Sequence, residues 1–197
     1  MGNFLILLPV LALAAHGHGS GPVLENLLPD QPGFVWTYWG FAEYGHRMRI
    51  VSIEETETGR IYRISGMVED VSDGEAPGDY SVTLWYVVSD SVLSVVQHAQ
   101  RTMDNDFEEM ELLRLPLATG NSWIQTVVDG SGAEVELVCE IEEMEEGRLT
   151  VRYSRTDSPF YQLREFEEGL GVTRFAKLYI FAEGSFEMDY LLYRGKF

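Results

Sequence analysis

The stretch Leu28-Pro29-Asp30-Gln31-Pro32-Gly33-Phe34-Val35-Trp36 returns as Leu115-Pro116-Leu117-Ala118-Thr119-Gly120-Asn121-Ser122-Trp123. The pattern Leu-Pro-x-x-x-Gly-x-x-Trp thus occurs twice, from 28 and from 115, at an offset of 87. That spacing is about half of what remains after the N-terminus, so the chain reads as two fused copies of one unit. A duplication constrains the fold more than any local signal does, because each copy must bury its apolar face against the other.

Overlaying the copies places Arg49-Ile50-Val51 on Glu136-Leu137-Val138 and Gly45 on Gly132. After one inserted residue, Gly59-Arg60-Ile61 falls on Gly147-Arg148-Leu149, each preceded by an acidic run. A polar, glycine-ended stretch between apolar runs is hairpin chemistry, since glycine tolerates positive φ. A looser match sets Tyr86 to Val92 against Arg164 to Leu170, at an offset of 78 (86 to 164).

Strand character shows as period-two alternation. Val135, Leu137, Cys139 and Ile141 interleave with Glu134, Glu136, Val138 and Glu140, which predicts one face in a core and one in water. Tyr80, Val82, Leu84, Tyr86 and Val88 follow the same rule, as do Leu149, Val151 and Tyr153. Half-solvated strands of this kind suit antiparallel sheets. Only Asp106 to Arg114, with Phe107, Met110 and Leu113 or Arg114 at helical spacing, predicts two helical turns, ended by Pro116.

The expected architecture is all-β. Two pseudo-repeats of antiparallel β-meander form one strongly curved sheet, an open barrel like those of lipoprotein carriers, or a sandwich. Residues 1–15 read as a signal peptide, 16–24 as a flexible spacer and 25–197 as a single domain, with repeat one over 25–111 and repeat two over 112–197. The apolar run Phe4 to Ala15 is shorter than the ~20 residues a spanning helix needs, and Ala12-Leu13-Ala14 supplies an A-x-A cleavage pattern. Export to the periplasm, cell surface or medium follows, with no membrane span in the mature chain.

Net charge is −18, from 32 acidic against 14 basic residues. Such a chain is repelled by nucleic acid and by anionic lipid surfaces. A single cysteine, Cys139, makes no internal disulfide, and its inward parity predicts a buried, unreactive thiol beside Glu140.

Candidate chemistry is sparse. His16 and His18 flank the predicted cleavage point, where with a new α-amino group they could chelate Cu(II) or Ni(II). Asp104 and Asp106 in Asp104-Asn105-Asp106-Phe107-Glu108-Glu109 offer oxygens to a hard cation such as calcium, without the central glycine of an EF-hand loop. No G-x-S-x-G elbow, zinc-ligand spacing or phosphate loop occurs, so a non-catalytic role with no cofactor is expected. Aromatic residues carry the remaining signal. Trp36, Tyr38, Trp39 and Trp85 are the candidate ligand-binding residues, and the second copy has Gln125 and Thr126 where Tyr38 and Trp39 stand.

The segment Leu115-Pro116-Leu117-x-x-Gly120-Asn121-Ser122-Trp123, its degenerate first copy, Glu168-Gly169-Leu170-Gly171-Val172 and the closing Tyr190-Leu191-Leu192-Tyr193 span most of the chain. Together they resemble an uncharacterised family of bacterial exported proteins and lipoproteins with repeated PLKxGNxWxY segments and a late PGVGLV segment. This chain departs from that group in lacking the lipoprotein cysteine and in placing Glu168 where the group has proline. The resemblance implies an exported, all-β envelope protein and carries no catalytic residues. The function expected is binding of a lipid-like or protein ligand in an apolar concavity. A structural or interaction module without a cavity, and a metal-binding exported protein, are the alternatives.

Overall fold

Among the described residues twelve strands form in sequence order, and their apolar positions alternate as a half-buried sheet requires. The computed structural model describes residues 24–40, 44–70, 81–98 and 106–193. After a short 3₁₀ turn at Leu24–Asn26 come β1 (Val35–Gly40), β2 (Tyr44–Thr56), β3 (Gly59–Asp70), β4 (Ser81–Ser89), β5 (Val92–Gln97) and β6 (Glu109–Arg114). The second half supplies β7 (Ser122–Val128), β8 (Glu134–Glu145), β9 (Arg148–Arg155), β10 (Tyr161–Glu167), β11 (Gly171–Phe181) and β12 (Gly184–Leu192).

All twelve belong to one antiparallel sheet of order β6-β5-β4-β3-β2-β1-β12-β11-β10-β9-β8-β7. A single sheet excludes the sandwich. The halves join through a ladder between β1 and β12, where Tyr38 faces Leu192 and Gly40 faces Tyr190. The sheet then curls until its outer strands, β6 and β7, meet. Their contact is an isolated bridge between Phe107 and Asp129, with Glu108 N–H donating to the Val128 carbonyl at 3.2 Å and Gly130 N–H to the Asp106 carbonyl at 3.1 Å. Beyond that point side chains take over. Gln125 bonds both backbone groups of Glu111, Tyr153 donates to the Leu112 carbonyl at 2.6 Å, and Asn121 donates to the carbonyls of Arg114 and Pro116. The barrel is therefore closed by hydrogen bonds that are only in part a β-ladder, which satisfies edge groups that would otherwise recruit another strand.

Inside, Val82, Leu84, Tyr86 and Val88 of β4 pack with Leu137, Cys139 and Ile141 of β8 and Val151 and Tyr153 of β9 in one buried cluster. Each such aliphatic side chain contributes roughly 1.5–3 kcal/mol on burial. Trp36 and Trp123 both lie in it.

The two Leu-Pro-x-x-x-Gly-x-x-Trp stretches adopt the same local geometry. Gly33 and Gly120 have φ of 91° and 83°. Their N–H groups donate to Ile50 and Ile141 at 2.8 Å each, and those isoleucines donate back to Phe34 and Asn121. These bonds make Ile141 the partner of Ile50, so the overlay of Ile50 on Leu137 is corrected by four residues. Trp36 faces Met48 across β1 and β2, whereas Trp123 faces Cys139 across β7 and β8: the second hairpin is longer between its tryptophan and its return strand. The turn glycines differ as well. Thr56 pairs with Gly59, leaving Gly59 inside β3, while Glu145 pairs with Arg148, leaving Gly147 in the turn itself.

The helix expected over Asp106 to Arg114 is a strand. β6 pairs with β5, with Val95 opposite Met110 and Leu93 opposite Leu113, and the register shifts between them. The extra residue, Leu112, puts both Leu112 and Leu113 in the core. A bulge breaks the two-residue period, and here it left Met110 and Leu113 at a spacing that imitates a helix.

Candidate functional site

Between β1, β2, β4 and the β10–β12 wall lies an interior cavity of about 30 Å³, lined by Tyr38, His46, Met48, Leu84, Tyr86, Arg164, Val172, Phe175 and Tyr190. Its residues come from strands of both halves, pointed inward by strand alternation, with the register shift at Thr173 on β11 bringing Val172 and Phe175 to the same face. Tyr38 is fixed by donating its hydroxyl to the Val172 carbonyl at 2.7 Å. His46, 7% exposed, stacks on Tyr190 with ring centroids 5.1 Å apart. Its Nε2 has no hydrogen-bond partner among the described residues.

Burial, reinforced by the charge of Lys177, pushes the His46 imidazole down to about 4. The ring is neutral at ordinary pH. Arg164, 1% exposed, lies with its guanidinium carbon 4.9 Å from the Phe175 ring centroid and donates to Gln162 Oε1 at 3.2 Å. Toward the loop end of the barrel, Lys177 Nζ donates to both oxygens of Asp106 at 2.8 and 2.9 Å, and Gln162 Nε2 donates to the same carboxylate at 2.7 Å. A column of polar groups thus lines one wall of an otherwise apolar interior.

Of the aromatic candidates, Tyr38 alone reaches this cavity. Trp36 is buried nearer the turn end, where its Nε1 donates to the Leu170 carbonyl at 2.6 Å and its ring meets Phe34 edge-on. Trp39 faces outward, 40% exposed, opposite Leu191 on β12. Trp85 also lies on the outer face, covered by the Arg63 guanidinium at 4.4 Å and the His98 ring at 4.1 Å. Period two separates Trp36 and Tyr38 from Trp39, so the four do not converge on one concavity.

Of the metal candidates, His16, His18 and Asp104 lie outside the described residues. Asp106 is engaged by Lys177 and Gln162. No group of three or more His, Cys, Asp or Glu that could hold a metal ion occurs among the described residues. Cys139 is fully buried, accepts from Gln125 Nε2 at 3.1 Å, and is pushed up to about 11, chiefly by burial.

The cavity residues His46 and Arg164, and the Asp106-paired Lys177 beyond them, were not singled out by the sequence, although a signal existed. Gln162, Arg164 and Phe166 share one parity on β10, as do Phe175 and Lys177 on β11. A cation at an inward position of an alternating strand is the anomaly that marks an interior site.

Two solved structures share this architecture. One, from Bacteroides fragilis NCTC 9343, is assigned as an exported protein with a YmcC-like fold; it aligns with a TM-score of 0.54 at 13% identity over 84% of this chain and 96% of its own. The fold is YmcC-like. The other, assigned as a lipoprotein of Parabacteroides distasonis ATCC 8503, aligns with a TM-score of 0.52 at 11% identity over the same shares. No family model matches the chain, and no curated protein matches it. At such identities the likeness concerns the fold alone.

Proposed function

We propose that this chain is an exported, non-catalytic protein of the cell envelope that binds a ligand inside the barrel, at the cavity beside His46. The observation that carries the reading is the His46 Nε2, buried and without a hydrogen-bond partner among the described residues at the wall of that cavity. An unmet buried polar group costs about 1–3 kcal/mol. A ligand that meets it recovers that energy. Export is supported by the apolar run containing Ala12-Leu13-Ala14 and by two solved structures of similar fold, one assigned as an exported protein and the other as a lipoprotein.

The chemistry of the site favours binding over turnover. A general base works best with a pKa near the operating pH, and His46 lies well below that. The Cys139 thiol is held protonated, and thiolate is the reactive form. Native mass spectrometry of the mature chain, exported under its own leader and purified without a tag, tests the reading. A stoichiometric co-purified small molecule that is lost on His46→Leu supports it, and a bare chain from several growth conditions overturns it.

A further inference from the structure

Resting on that reading, we propose that the cavity at His46 is a carboxylate site, taking either a short organic acid or the head of a fatty-acid-like amphiphile. The argument begins with size. A void of about 30 Å³ admits two or three waters, or a head group of a few atoms, by the usual measure of roughly 10–15 Å³ for a single water.

Chemistry narrows the class. The chain carries 32 acidic residues, yet none of the nine side chains lining this cavity is acidic. The wall instead presents Arg164, which can only donate, whereas Lys177, beyond the cavity, is already paired with Asp106. A group drawn to a positive potential carries negative charge, and a neutral imidazole with its proton on Nε2 donates one hydrogen bond to it. A planar carboxylate offers two acceptor oxygens, one for His46 and one for the Arg164 guanidinium, whose forked donors match that shape. The aromatic and aliphatic remainder of the wall, Tyr86, Leu84 and Phe175 among it, excludes water and strengthens both bonds.

The test uses the full mature chain, titrated at constant ionic strength with sodium acetate and sodium decanoate, and with acetamide and decan-1-ol as neutral counterparts. Melting temperature and the side-chain nitrogen resonances of His46 are read together. A carboxylate that binds the native state raises the melting temperature with concentration and shifts the Nε2 resonance, while the neutral probes do neither. His46→Leu removes an unmet polar group, so it should fold, and it should weaken carboxylate binding at least tenfold. Saturation by decanoate at 100-fold lower concentration than acetate identifies an amphiphile head; comparable concentrations identify a free short acid. Equal binding of acetamide or decan-1-ol overturns the carboxylate class and leaves the ligand-binding reading standing. No response to any of the four overturns the site, and with a bare native mass spectrum the reading falls too. If His46→Leu does not fold, the wild-type His46 resonance decides alone: no shift with either carboxylate overturns the proposal.

Discussion

The side-chain amide of Gln125 lies against the backbone of Glu111 as a peptide unit of a neighbouring strand would. Its Oε1 accepts from Glu111 N–H at 2.8 Å, and its Nε2 donates to the Glu111 carbonyl at 2.9 Å. One side chain of β7 thereby supplies two bonds of the ladder that β6 and β7 lack there. Gln125→Ala leaves both backbone groups unmet, and each unmet group costs about 1–3 kcal/mol where water does not reach it. Thermal melting should show a loss of several degrees, at roughly 2–4 °C per kcal/mol for a chain of this size. Gln125→Glu keeps the acceptor and sets a carboxylate oxygen against the Glu111 carbonyl, so it should melt no higher than Gln125→Ala. A wild-type melting temperature for either variant would show that the seam does not depend on this amide.

The pH dependence follows from His46. Its folded pKa of about 4 lies below the 6.5 of the free side chain, so between those values the unfolded chain binds more protons than the folded one. Stability contributed by the neutral ring is fully present above pH 6.5, is lost as pH falls toward 4, and changes no further below it. The full span is about 3 kcal/mol, at roughly 1.4 kcal/mol per pH unit. Urea unfolding of wild type and His46→Leu across this range isolates the effect from the many carboxylates. The difference between the two proteins should grow in favour of the variant as pH falls, and a constant difference would refute it.

Cys139 is expected to be silent toward thiol reagents until the barrel opens. Burial holds its thiol near 11, and attack requires thiolate. Labelling with iodoacetamide at pH 8 should run at the rate of unfolding, at least a hundredfold slower than in urea. Rapid labelling of the folded chain would place the thiol nearer solvent than β8 allows.

Much of this architecture is legible in the residues themselves. The alternation of Val135, Leu137, Cys139 and Ile141 specifies a face, and the structure buries all four. The repeated Leu-Pro-x-x-x-Gly-x-x-Trp specifies a local geometry, and Gly33 and Gly120 share it down to their hydrogen bonds. What alternation does not encode is register. Ile50 answers Ile141 and not Leu137, because bulges and loop lengths shift a strand without altering its composition. The cavity was hidden for the same reason: His46 and Arg164 lie 118 positions apart (46 to 164), and only closure of the curled sheet sets them around one space. Gln125 stands at the offset of 87 from Tyr38. Its bonds to Glu111 across the seam become visible only with the topology.

The glycines of the two long hairpins should respond differently to alanine. Gly147 sits in its turn with φ +75 and open space where a Cβ would go, so Gly147→Ala meets only the left-handed backbone penalty of roughly 1 kcal/mol. Gly59 sits one step past its turn with φ +143, and a Cβ there would lie 1.9 Å from the Val88 carbonyl oxygen. Backbone must move to admit it. Gly59→Ala should therefore lower the urea midpoint by at least twice as much as Gly147→Ala, and equal losses would mean that β3 and β4 separate easily at that end.

Asp106 gives the last comparison. Its carboxylate meets Lys177 Nζ and Gln162 Nε2 with both oxygens, and its side chain is 25% exposed while that of Lys177 is 9%. The buried partner has more to lose. Asp106→Asn leaves a nearly buried ammonium facing a neutral amide, and breaking a buried pair from one side costs about 3–5 kcal/mol, reduced here because water reaches the carboxylate. Lys177→Met leaves Asp106 hydrated and still bonded by Gln162, so it should melt higher than Asp106→Asn. Lys177→Met also removes one of the two causes that depress His46, so the His46 resonance in that variant should titrate at higher pH than in wild type. The same pairing bears on calcium: a cation at Asp106 must displace an ammonium already seated there, so millimolar calcium should leave the wild-type melting temperature unchanged. A rise of the wild-type melting temperature with calcium would show that the Lys177 contact does not hold the carboxylate.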